Sequence, residues 1–373
     1  MRIGIDYTAA VRQRAGIGRL TRGLIGALPA LDTENEYRLF VAGRGAHGTV
    51  PQAANVRTVW APLTDRETAF LWQRLRAPIP VELWLGRLDL FHSPDFVLPA
   101  TRARRKVLTV HDLTFLRVPD CAHPVLRDYL ARVVPRSVAR ADLVLADSAS
   151  TGRDVVELLR YPAERVRVVY PGVEPCFRPV HDEAALARVR ARYGLEHPYI
   201  LGVSTLEPRK NFAGLVRAFA RLRERQRLPH VLAIAGGKGW LYEPIFAQVR
   251  ECGVEEQVLF LGHVADEDLP ALYSAAECFA YPSFYEGFGI PVVEAMACGV
   301  PVVASRASSV PEAAGEAALL IDPHDTESLV DALERALHDQ TLRDRLRSAG
   351  IEQARRFTWE SAGRALLAAY RSL

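Results

Sequence analysis

Short apolar segments alternate with helix-like segments along most of this chain, and this alternation constrains the fold more than any other feature. The strand-like segments of the first half include 2–6 (RIGID), 37–43 (YRLFVAG) and 106–113 (KVLTVHDL), with helix-like segments between several of them. Short apolar strands that alternate with helices are typical of a parallel sheet with helices packed on its faces. The sequence therefore predicts an α/β protein with doubly wound, parallel sheets.

The alternation stops at residues 171–180 (PGVEPCFRPV), a Pro-rich segment without periodicity, and then begins again. A chain of 373 residues also suits two domains of about 150–200 residues better than one. We predict a Rossmann-like domain over residues 1–172, a second over 181–355, and a C-terminal helix over 356–373. The sequence leaves open whether this last helix crosses back to the first domain. Ligands of open α/β sheets bind beyond the carboxyl ends of the strands, so functional residues are expected in the loops that follow strands.

The composition is that of a globular protein, with 49% hydrophobic and 24% charged residues. The N-terminal MRIGIDYTAAV begins with a strand-like segment and lacks the pattern of a signal peptide. No run of about 18 apolar residues predicts a membrane span. Five scattered cysteines without a C-x-x-C pair argue against structural disulfides and against a zinc site. A cytoplasmic protein is therefore expected.

Positive charge is concentrated in the first half of the chain. Residues 1–172 contain 25 Lys and Arg against 17 Asp and Glu, whereas residues 173–373 contain 22 against 27. The net charge of the whole chain is +3. This excess suits an anionic partner of the first half, such as a diphosphate or the inner face of an anionic membrane. An arginine-rich solvated surface explains the same excess equally well. A nucleic-acid partner is not expected.

Residues 204–212 (STLEPRKNF) place two cations between a strand-like and a helix-like segment. The chain contains three lysines, so Lys210 beside Arg209 is an unusual choice of residue in this sequence. A guanidinium fork and a flexible ammonium at the start of a helix form a strong anion site, and two charges suit a diphosphate. A surface loop in which Arg209 pairs with Glu207 is the alternative.

Residues 284–303 (FYEGFGIPVVEAMACGVPVV) carry two glutamates, Glu286 and Glu294, on either side of a predicted helix start. Pro291 suits the first position of a helix and Gly299 suits the residue just past its end. This places Glu286 in a loop and Glu294 one turn into the helix. A carboxylate can hold vicinal hydroxyls, as acidic residues hold ribose in dinucleotide sites. Favourable interaction with the helix dipole is the alternative reason for both glutamates.

The two motifs together resemble those of the retaining nucleotide-sugar glycosyltransferases of family 4, which have the GT-B fold. That family has an E-x7-E motif with an E-G-F-G-x-P core, matched here by residues 286–291 and Glu294, and an E-P-R-K-N segment, matched by 207–211. The motifs occur in the right order, about 75 residues apart, and this combination is far more specific than either motif alone. The resemblance covers nearly the whole chain and implies two facing Rossmann-like domains. The first, residues 1–172, would bind the acceptor, and the second, residues 181–355, would bind the nucleotide-sugar donor.

The resemblance implies a role for each residue of the two motifs. Arg209 and Lys210 would grip the donor diphosphate and neutralise the leaving group. Glu294 would bind the ribose hydroxyls, and Glu286 would contact hydroxyls of the transferred sugar.

Further contacts with the donor are implied in three loops. Backbone amides at the start of the helix would touch the sugar or a phosphate: Phe288, Gly289 and Ile290. Val264, in the turn that follows a strand at 258–262, would lie near the nucleotide base. In AGGKGW (235–240), Gly237 and Lys238 would approach the donor, because glycines let the backbone come close. A surface turn is the alternative for this last loop.

The first half offers weaker candidates. Gly16 and Gly18 form a glycine-rich turn that enters a helix and could face an acceptor or a phosphate, although the G-x-G-x-x-G pattern of NAD-binding sites is broken. His111 lies at a strand end, where the resemblance implies that it faces the sugar. Asp112 either orients His111 or starts the next turn. Ser148 lies at the next equivalent strand end.

No metal cofactor is expected. The acidic run ADED (265–268) is interpreted as a helix start with Asp266 as its N-cap, not as a metal site. The positive charges of Arg209 and Lys210 would do the electrostatic work of a metal. The nucleotide sugar is a substrate and not a cofactor.

The resemblance implies a hexosyltransferase that moves a hexose, with GDP-mannose favoured as donor, to a hydroxyl of a glycan, lipid-linked or small-molecule acceptor. It implies front-face attack with retention at the anomeric carbon. Alternatives remain open: a UDP-glucose or UDP-GlcNAc transferase of the same fold, a sugar-nucleotide 2-epimerase, a phosphorylase-like pyridoxal enzyme, and a non-catalytic sugar-nucleotide binding protein.

Overall fold

The computed structural model describes residues 1–13, 16–43, 50–75 and 77–373, with the backbone alone for Asp65 and Ala69. These residues form two compact units. Unit 1 contains residues 1–116, 127–172 and 358–373, and unit 2 contains residues 117–126 and 173–357. The chain therefore enters unit 2 twice.

Each unit is built on one parallel sheet, as the alternating pattern predicts. Within the described ranges, seven strands form the sheet of unit 1 in the order β3-β2-β1-β4-β5-β6-β7, and six form that of unit 2 in the order β10-β9-β8-β11-β12-β13. The strands are β1 Arg2–Asp6, β2 Glu36–Ala42, β3 Val56–Ala61, β4 Leu90–Ser93, β5 Arg105–Val110, β6 Leu143–Ala146, β7 Val166–Val168, β8 Tyr199–Val203, β9 Val231–Ala235, β10 Val258–Gly262, β11 Cys278–Tyr281, β12 Val302–Ser305 and β13 Leu319–Ile321.

Helices separate the strands. They are α1 Thr8–Arg12, α2 Ile17–Gly26, α3 Leu28–Leu31, α4 Asp65–Ala69, α5 Glu82–Leu85, α6 Thr114–Arg117, α7 Pro124–Arg140, α8 Ala149–Leu159, α9 Glu183–Arg192, α10 Phe212–Arg225, α11 Glu243–Glu251, α12 Leu269–Ser274, α13 Ile290–Ala297, α14 Val310–Ala314, α15 Thr326–His338, α16 Gln340–Ala354 and α17 Trp359–Arg371. Single turns of 3₁₀-helix occur at 119–121, 163–165 and 208–210, and a π-helix at 70–74. No helix in the described part of the chain is long and apolar enough to cross a membrane.

The sheet of unit 2 is covered on both faces. Successive residues of a strand point to opposite faces, so neighbouring residues enter different cores. Tyr199 and Leu201 of β8 face one hydrophobic core together with Phe279 of β11. Ile200, between them, faces a second core that contains Leu215 of α10. Burial on both faces explains why these strands are continuously apolar in the sequence.

The C-terminal helix α17 is part of unit 1, where it packs on α2 and α3. Two glycines make the close approach possible. A side chain at Gly23 would clash with the indole of Trp359, and one at Gly363 would come within 2.6 Å of Leu31. Near the end of α17, the buried hydroxyl of Tyr370 lies 2.7 Å from Nδ1 of His92 on β4. The linker predicted at 171–180 contains neither helix nor strand.

Candidate active site

Three loops of unit 2 meet beyond the carboxyl ends of adjacent strands. They follow β8, β11 and β12, which are neighbours in the sheet. The amide of Phe284 donates to the carbonyl of Arg209 at 2.9 Å, which joins the first loop to the second. The amide of Glu286 donates to Oγ of Ser308 at 2.8 Å, and the hydroxyl of Ser309 donates to the carbonyl of Glu286 at 2.8 Å. These bonds fix the backbone on both sides of Glu286.

The carboxylate of Glu286 holds both cations of the first loop. Its Oε1 lies 2.7 Å from Nζ of Lys210, and its Oε2 lies 2.7 Å from Nη1 of Arg209. Glu286 is 5% exposed, and burial alone opposes its ionisation. The charges of Arg209 and Lys210 outweigh burial and lower the pKa of Glu286 to about 2. Glu286 is therefore ionised throughout the physiological range.

Lys210 is buried, with only 7% of its surface exposed. Its ammonium donates to the hydroxyl of Tyr281 at 3.0 Å and lies 5.3 Å from the centre of the same ring. Burial, followed by the nearby charge of Arg209, lowers the pKa of Lys210, and Glu286 offsets part of that effect. The contact with Tyr281 was not foreseen, because a tyrosine at a strand end carries no motif signal.

Arg209 is fixed by three acceptors. Besides Glu286, its guanidinium donates to the carbonyl of Tyr285 at 3.0 Å and to Oε1 of Glu207 at 2.7 Å. The pairing of Arg209 with Glu207, considered above as a feature of a surface loop, is thus present. Glu207 is only 2% exposed, so the pair lies inside the protein and not on a solvated surface.

Asn211 orients the first loop, although sequence reasoning assigned it no role. Its backbone is left-handed, with φ of 55°, a conformation that asparagine tolerates better than most residues. Its Oδ1 accepts from the amide of Gly214 and caps α10, and its Nδ2 donates to the carbonyls of Pro282 at 3.1 Å and Pro323 at 2.8 Å. One side chain therefore connects the loops after β8, β11 and β13.

The second glutamate lies in α13, as predicted. Pro291 is in its first turn, and Gly299, with φ of 73°, follows its end. Glu294 is 2% exposed, and its Oε2 accepts from the hydroxyl of Tyr273 at 3.1 Å.

Gly289 precedes the helix with φ of 101°, a left-handed conformation that favours glycine. Phe288 is buried with its ring centre 5.1 Å from that of Phe357, and Ile290 is half-buried.

The loop after β9 is tied to the loop that carries the two cations. The amide of Leu206 donates to the carbonyl of Gly237 at 2.9 Å. Lys238 is exposed, and its ammonium lies 5.2 Å and 5.3 Å from the ring centres of Tyr242 and Phe246. The indole of Trp240 donates to the carbonyl of Cys121 at 2.9 Å, which holds residues 117–126 within unit 2.

Val264 is buried in a core of unit 2, two residues after a left-handed Gly262.

The interpretation of Asp266 as an N-cap is wrong, because α12 starts at Leu269 and Asp268 precedes it. The carboxylate of Asp268 accepts from the hydroxyl of Tyr193 at 2.9 Å and pairs with Arg192 at 2.8 Å. Across the described ranges, no group of three or more His, Cys, Asp or Glu side chains could hold a metal ion.

In unit 1, His111 follows β5 and is buried. Its Nε2 lies 2.7 Å from the carbonyl of Pro94, and its Nδ1 lies 2.8 Å from Oδ2 of Asp147. A carbonyl and a carboxylate both accept, so both ring nitrogens carry protons. Burial opposes this charge, but Asp147 outweighs it and raises the pKa of His111 to about 9. Contact of His111 with a sugar stays a prediction.

The suggestion that Asp112 orients His111 is wrong, because Asp147 does so. Asp112 accepts from the amide of Thr114 at 2.9 Å and starts the next turn, which was the alternative. Ser148 is fully buried and caps α8 by accepting from the amide of Thr151 at 3.0 Å.

The glycines of the first loop in unit 1 have backbone roles. Gly16, with φ of 58°, precedes α2. A side chain at Gly18 would clash with the carbonyl oxygen of Gln13. Whether either glycine faces a ligand stays a prediction.

Two family models together match most of the chain. Residues 14–176 match the model described as Glycosyltransferase Family 4, and residues 188–353 match the model described as Glycosyl transferases group 1. The gap between the two matches, residues 177–187, overlaps the predicted linker at 171–180.

Similar proteins include two transferases of Escherichia coli. O-antigen chain mannosyltransferase B is 34% identical, over 96% of this chain and 96% of that protein. Serotype-specific mannosyltransferase WbdA is 31% identical over 72% of this chain, a region that spans 34% of WbdA. Among solved structures, sucrose-phosphate synthase from Thermosynechococcus elongatus shares the fold, with a TM-score of 0.80 at 24% identity, and the match covers 100% of this chain and 98% of that one.

Proposed function

The chain belongs to the group 1 glycosyltransferases of family 4, and from this membership we propose that it is a retaining mannosyltransferase that uses GDP-mannose. It is a hexosyltransferase of the GT-B fold, and its donor, its acceptor and the retention of configuration are what we propose. Support for mannose comes from the E. coli relative, which is named a mannosyltransferase and matches over 96% of both chains. The acceptor is proposed to be a hydroxyl of a glycan, either free or lipid-linked.

The observation that carries the proposal is the pair of cations on one buried carboxylate. Nη1 of Arg209 and Nζ of Lys210 both lie 2.7 Å from oxygens of Glu286. Negative charge develops on the diphosphate when its bond to the anomeric carbon breaks, and preorganised cations stabilise that charge without reorganising. The acceptor oxygen then bonds to the same face of the sugar, and its proton passes to the departing diphosphate.

In this proposal each acidic residue serves the cations or the donor. Glu286 and Glu207 hold Arg209 and Lys210 in place, and Glu286 also contacts hydroxyls of the sugar. Glu294, oriented by Tyr273, binds the ribose. The electrostatic work is done by Arg209 and Lys210, so turnover is expected to persist in excess EDTA.

The excess positive charge of residues 1–172 supports an acceptor with an anionic group or a location at an anionic membrane surface. Sedimentation with vesicles that contain an anionic lipid checks the second possibility, and binding must weaken as salt is raised.

A donor screen tests the assignment of the sugar. GDP-mannose, UDP-glucose, UDP-GlcNAc and UDP-galactose are compared by thermal shift and by slow hydrolysis, and the anomeric configuration of the released sugar is read by NMR. GDP-mannose should stabilise the protein most and give the retained anomer first. Preference for a UDP sugar would replace the donor and leave the fold and the cation pair unaffected.

Lys210→Ala tests the role of the cations. Loss of one group that stabilises developing charge costs about 10²-fold in kcat, and this is the expected loss here. Lys106→Ala, which removes a half-buried lysine from β5 of unit 1, is the matched control and should keep wild-type turnover. Near-normal turnover of Lys210→Ala would refute the proposed clamp on the leaving group.

A further inference from the structure

Tyr281 lies outside both sequence motifs, yet it contacts the proposed diphosphate-binding lysine. It is the last residue of β11 and is 2% exposed. Its hydroxyl accepts a hydrogen bond from Nζ of Lys210 at 3.0 Å, while Oε1 of Glu286 accepts another at 2.7 Å. The ammonium of Lys210 is therefore held from two directions.

An ammonium has three N–H donors and no acceptor. Two of them are directed at Tyr281 and Glu286, and this fixes the direction of the third. A flexible lysine would otherwise lose rotamer freedom when it binds a ligand, and this loss weakens binding. In this site the ordering is already present before a ligand arrives.

We propose that Tyr281 is a positioning residue, which together with Glu286 orients the Lys210 ammonium so that its third donor meets a diphosphate oxygen. This inference rests on the proposed role of Lys210 at the leaving group. It adds a second function of the tyrosine, which is to keep Lys210 protonated in a buried place.

The second function follows from the charges around the lysine. The titratable and charged groups that face it are Arg209, Glu207, Glu286 and Tyr281. Burial and Arg209 lower the pKa of Lys210. A hydroxyl that accepts from the ammonium favours the charged form and counteracts this. Burial, and then Glu286, raises the pKa of Tyr281 well above its usual value, so the hydroxyl itself stays neutral.

The sign of the effect is fixed by these contacts. Lys210 binds a diphosphate while it is protonated and loses that ability as pH rises through its pKa. Without the hydroxyl of Tyr281 the charged form is less favourable, and the loss of binding moves to lower pH. One hydrogen bond to a charged group corresponds to a shift of about one pH unit.

The test is the dissociation constant of a nucleoside diphosphate as a function of pH. GDP and UDP are titrated calorimetrically into the wild-type protein from pH 7.5 to 10.5, and the tighter binder is used for the variants. Tyr281→Phe should bind with a midpoint about one pH unit lower than wild type. Lys210→Met lacks the titrating ammonium, so its dissociation constant should show no alkaline step beyond that caused by ionisation of the nucleotide. Ionisation of the nucleotide is common to all variants and cancels between them.

Tyr199→Phe is the matched control. Tyr199 is also a fully buried tyrosine on the sheet of unit 2, and its hydroxyl donates to the carbonyl of Leu272 at 2.6 Å. The Tyr199→Phe variant loses a buried hydroxyl that does not contact Lys210, so the pH midpoint of its nucleotide binding should equal that of the wild type.

Three outcomes would overturn the inference, and they differ in what else they affect. If neither nucleotide binds, the proposed donor site is wrong and the inference falls with it. If Lys210→Met keeps the alkaline step, Lys210 is not the titrating group. If Tyr281→Phe and Tyr199→Phe share the wild-type midpoint while Lys210→Met lacks the step, the positioning role fails and the proposed function stands.

Discussion

At the scale of single residues, the partners of several residues in the candidate site come from the ends of neighbouring strands and not from adjacent positions in the chain. His111 illustrates this, because its partner is Asp147 and not the adjacent Asp112. In the parallel register of β5 and β6, Val110 is paired with Ala146, which brings the following residues side by side. Sequence reasoning identified the strand ends correctly but could not give the register. For the same reason it missed Tyr281 at the end of β11, which accepts from Lys210, and Ser308 in the loop after β12, which accepts from the amide of Glu286.

The charge of His111 gives the stability of unit 1 a dependence on pH. Its folded pKa of about 9 exceeds the unfolded value of about 6.5, so the stabilisation is complete below pH 6.5 and is lost as pH rises through 9. The free energy of unfolding should fall by roughly 3 kcal/mol between pH 6.5 and 9.5. Urea denaturation measures this change. His111→Asn removes this titrating group, so the fall in stability over that window should be much smaller than in the wild type, and an unchanged slope would contradict the assignment.

At the scale of elements, the site of unit 2 depends on loops that brace one another. The sequence predicted the strands, the start of α13 and the two motifs, because short apolar strands and Gly-Pro punctuation are local signals. It could not predict that Asn211 connects three loops, because this depends on which strands are neighbours in the sheet. Nor could it predict that Trp240 contacts residues 117–126, because no local pattern indicates that this segment belongs to unit 2. Local patterns therefore located the parts of the site, and sheet topology determined their contacts.

Trp240→Phe tests the contact between the loop after β9 and residues 117–126. The substitution keeps the ring but removes the N–H that donates to Cys121 at 2.9 Å. Hydrogen exchange of the amides of residues 117–126 should accelerate by about fivefold, as expected for the loss of about 1 kcal/mol of local stability. Trp72→Phe, which removes an indole bond of 2.7 Å to Ile79 in unit 1, should leave that segment unchanged. Equal exchange in wild type and Trp240→Phe would show that the bond does not hold the segment.

At the scale of the whole molecule, each unit is discontinuous in sequence. Residues 117–126 lie in unit 2 although the chain on either side lies in unit 1, and α17 belongs to unit 1 although it follows the whole of unit 2. The sequence showed the two repeats of the strand–helix pattern and left the position of the last helix open. Polar groups at the end of that helix, such as the hydroxyl of Tyr370, gave no signal of a partner more than two hundred residues away, because such a contact has no sequence periodicity.

Tyr370→Ala measures how much α17 contributes to unit 1. Tyr370 is 1% exposed and contacts His92, and truncation of a buried aromatic residue costs about 3–5 kcal/mol. Calorimetry should show a lower unfolding temperature for one transition and an unchanged temperature for the transition of unit 2. Arg371→Ala, an exposed neighbour on the same helix, is the control and should shift neither transition. A shift confined to unit 2 would contradict the assignment of α17.

The late position of α17 reverses the usual order of folding on the ribosome, where N-terminal domains finish first. All residues of unit 2 have been synthesised by Phe357, whereas unit 1 still lacks the helix that covers α2 and α3. During translation, the surface of α2 and α3 that α17 covers is therefore expected to stay exposed until α17 has been synthesised. A nascent chain stalled before Thr358 would carry a complete unit 2 and an incomplete unit 1, and its uncovered apolar surface would favour aggregation.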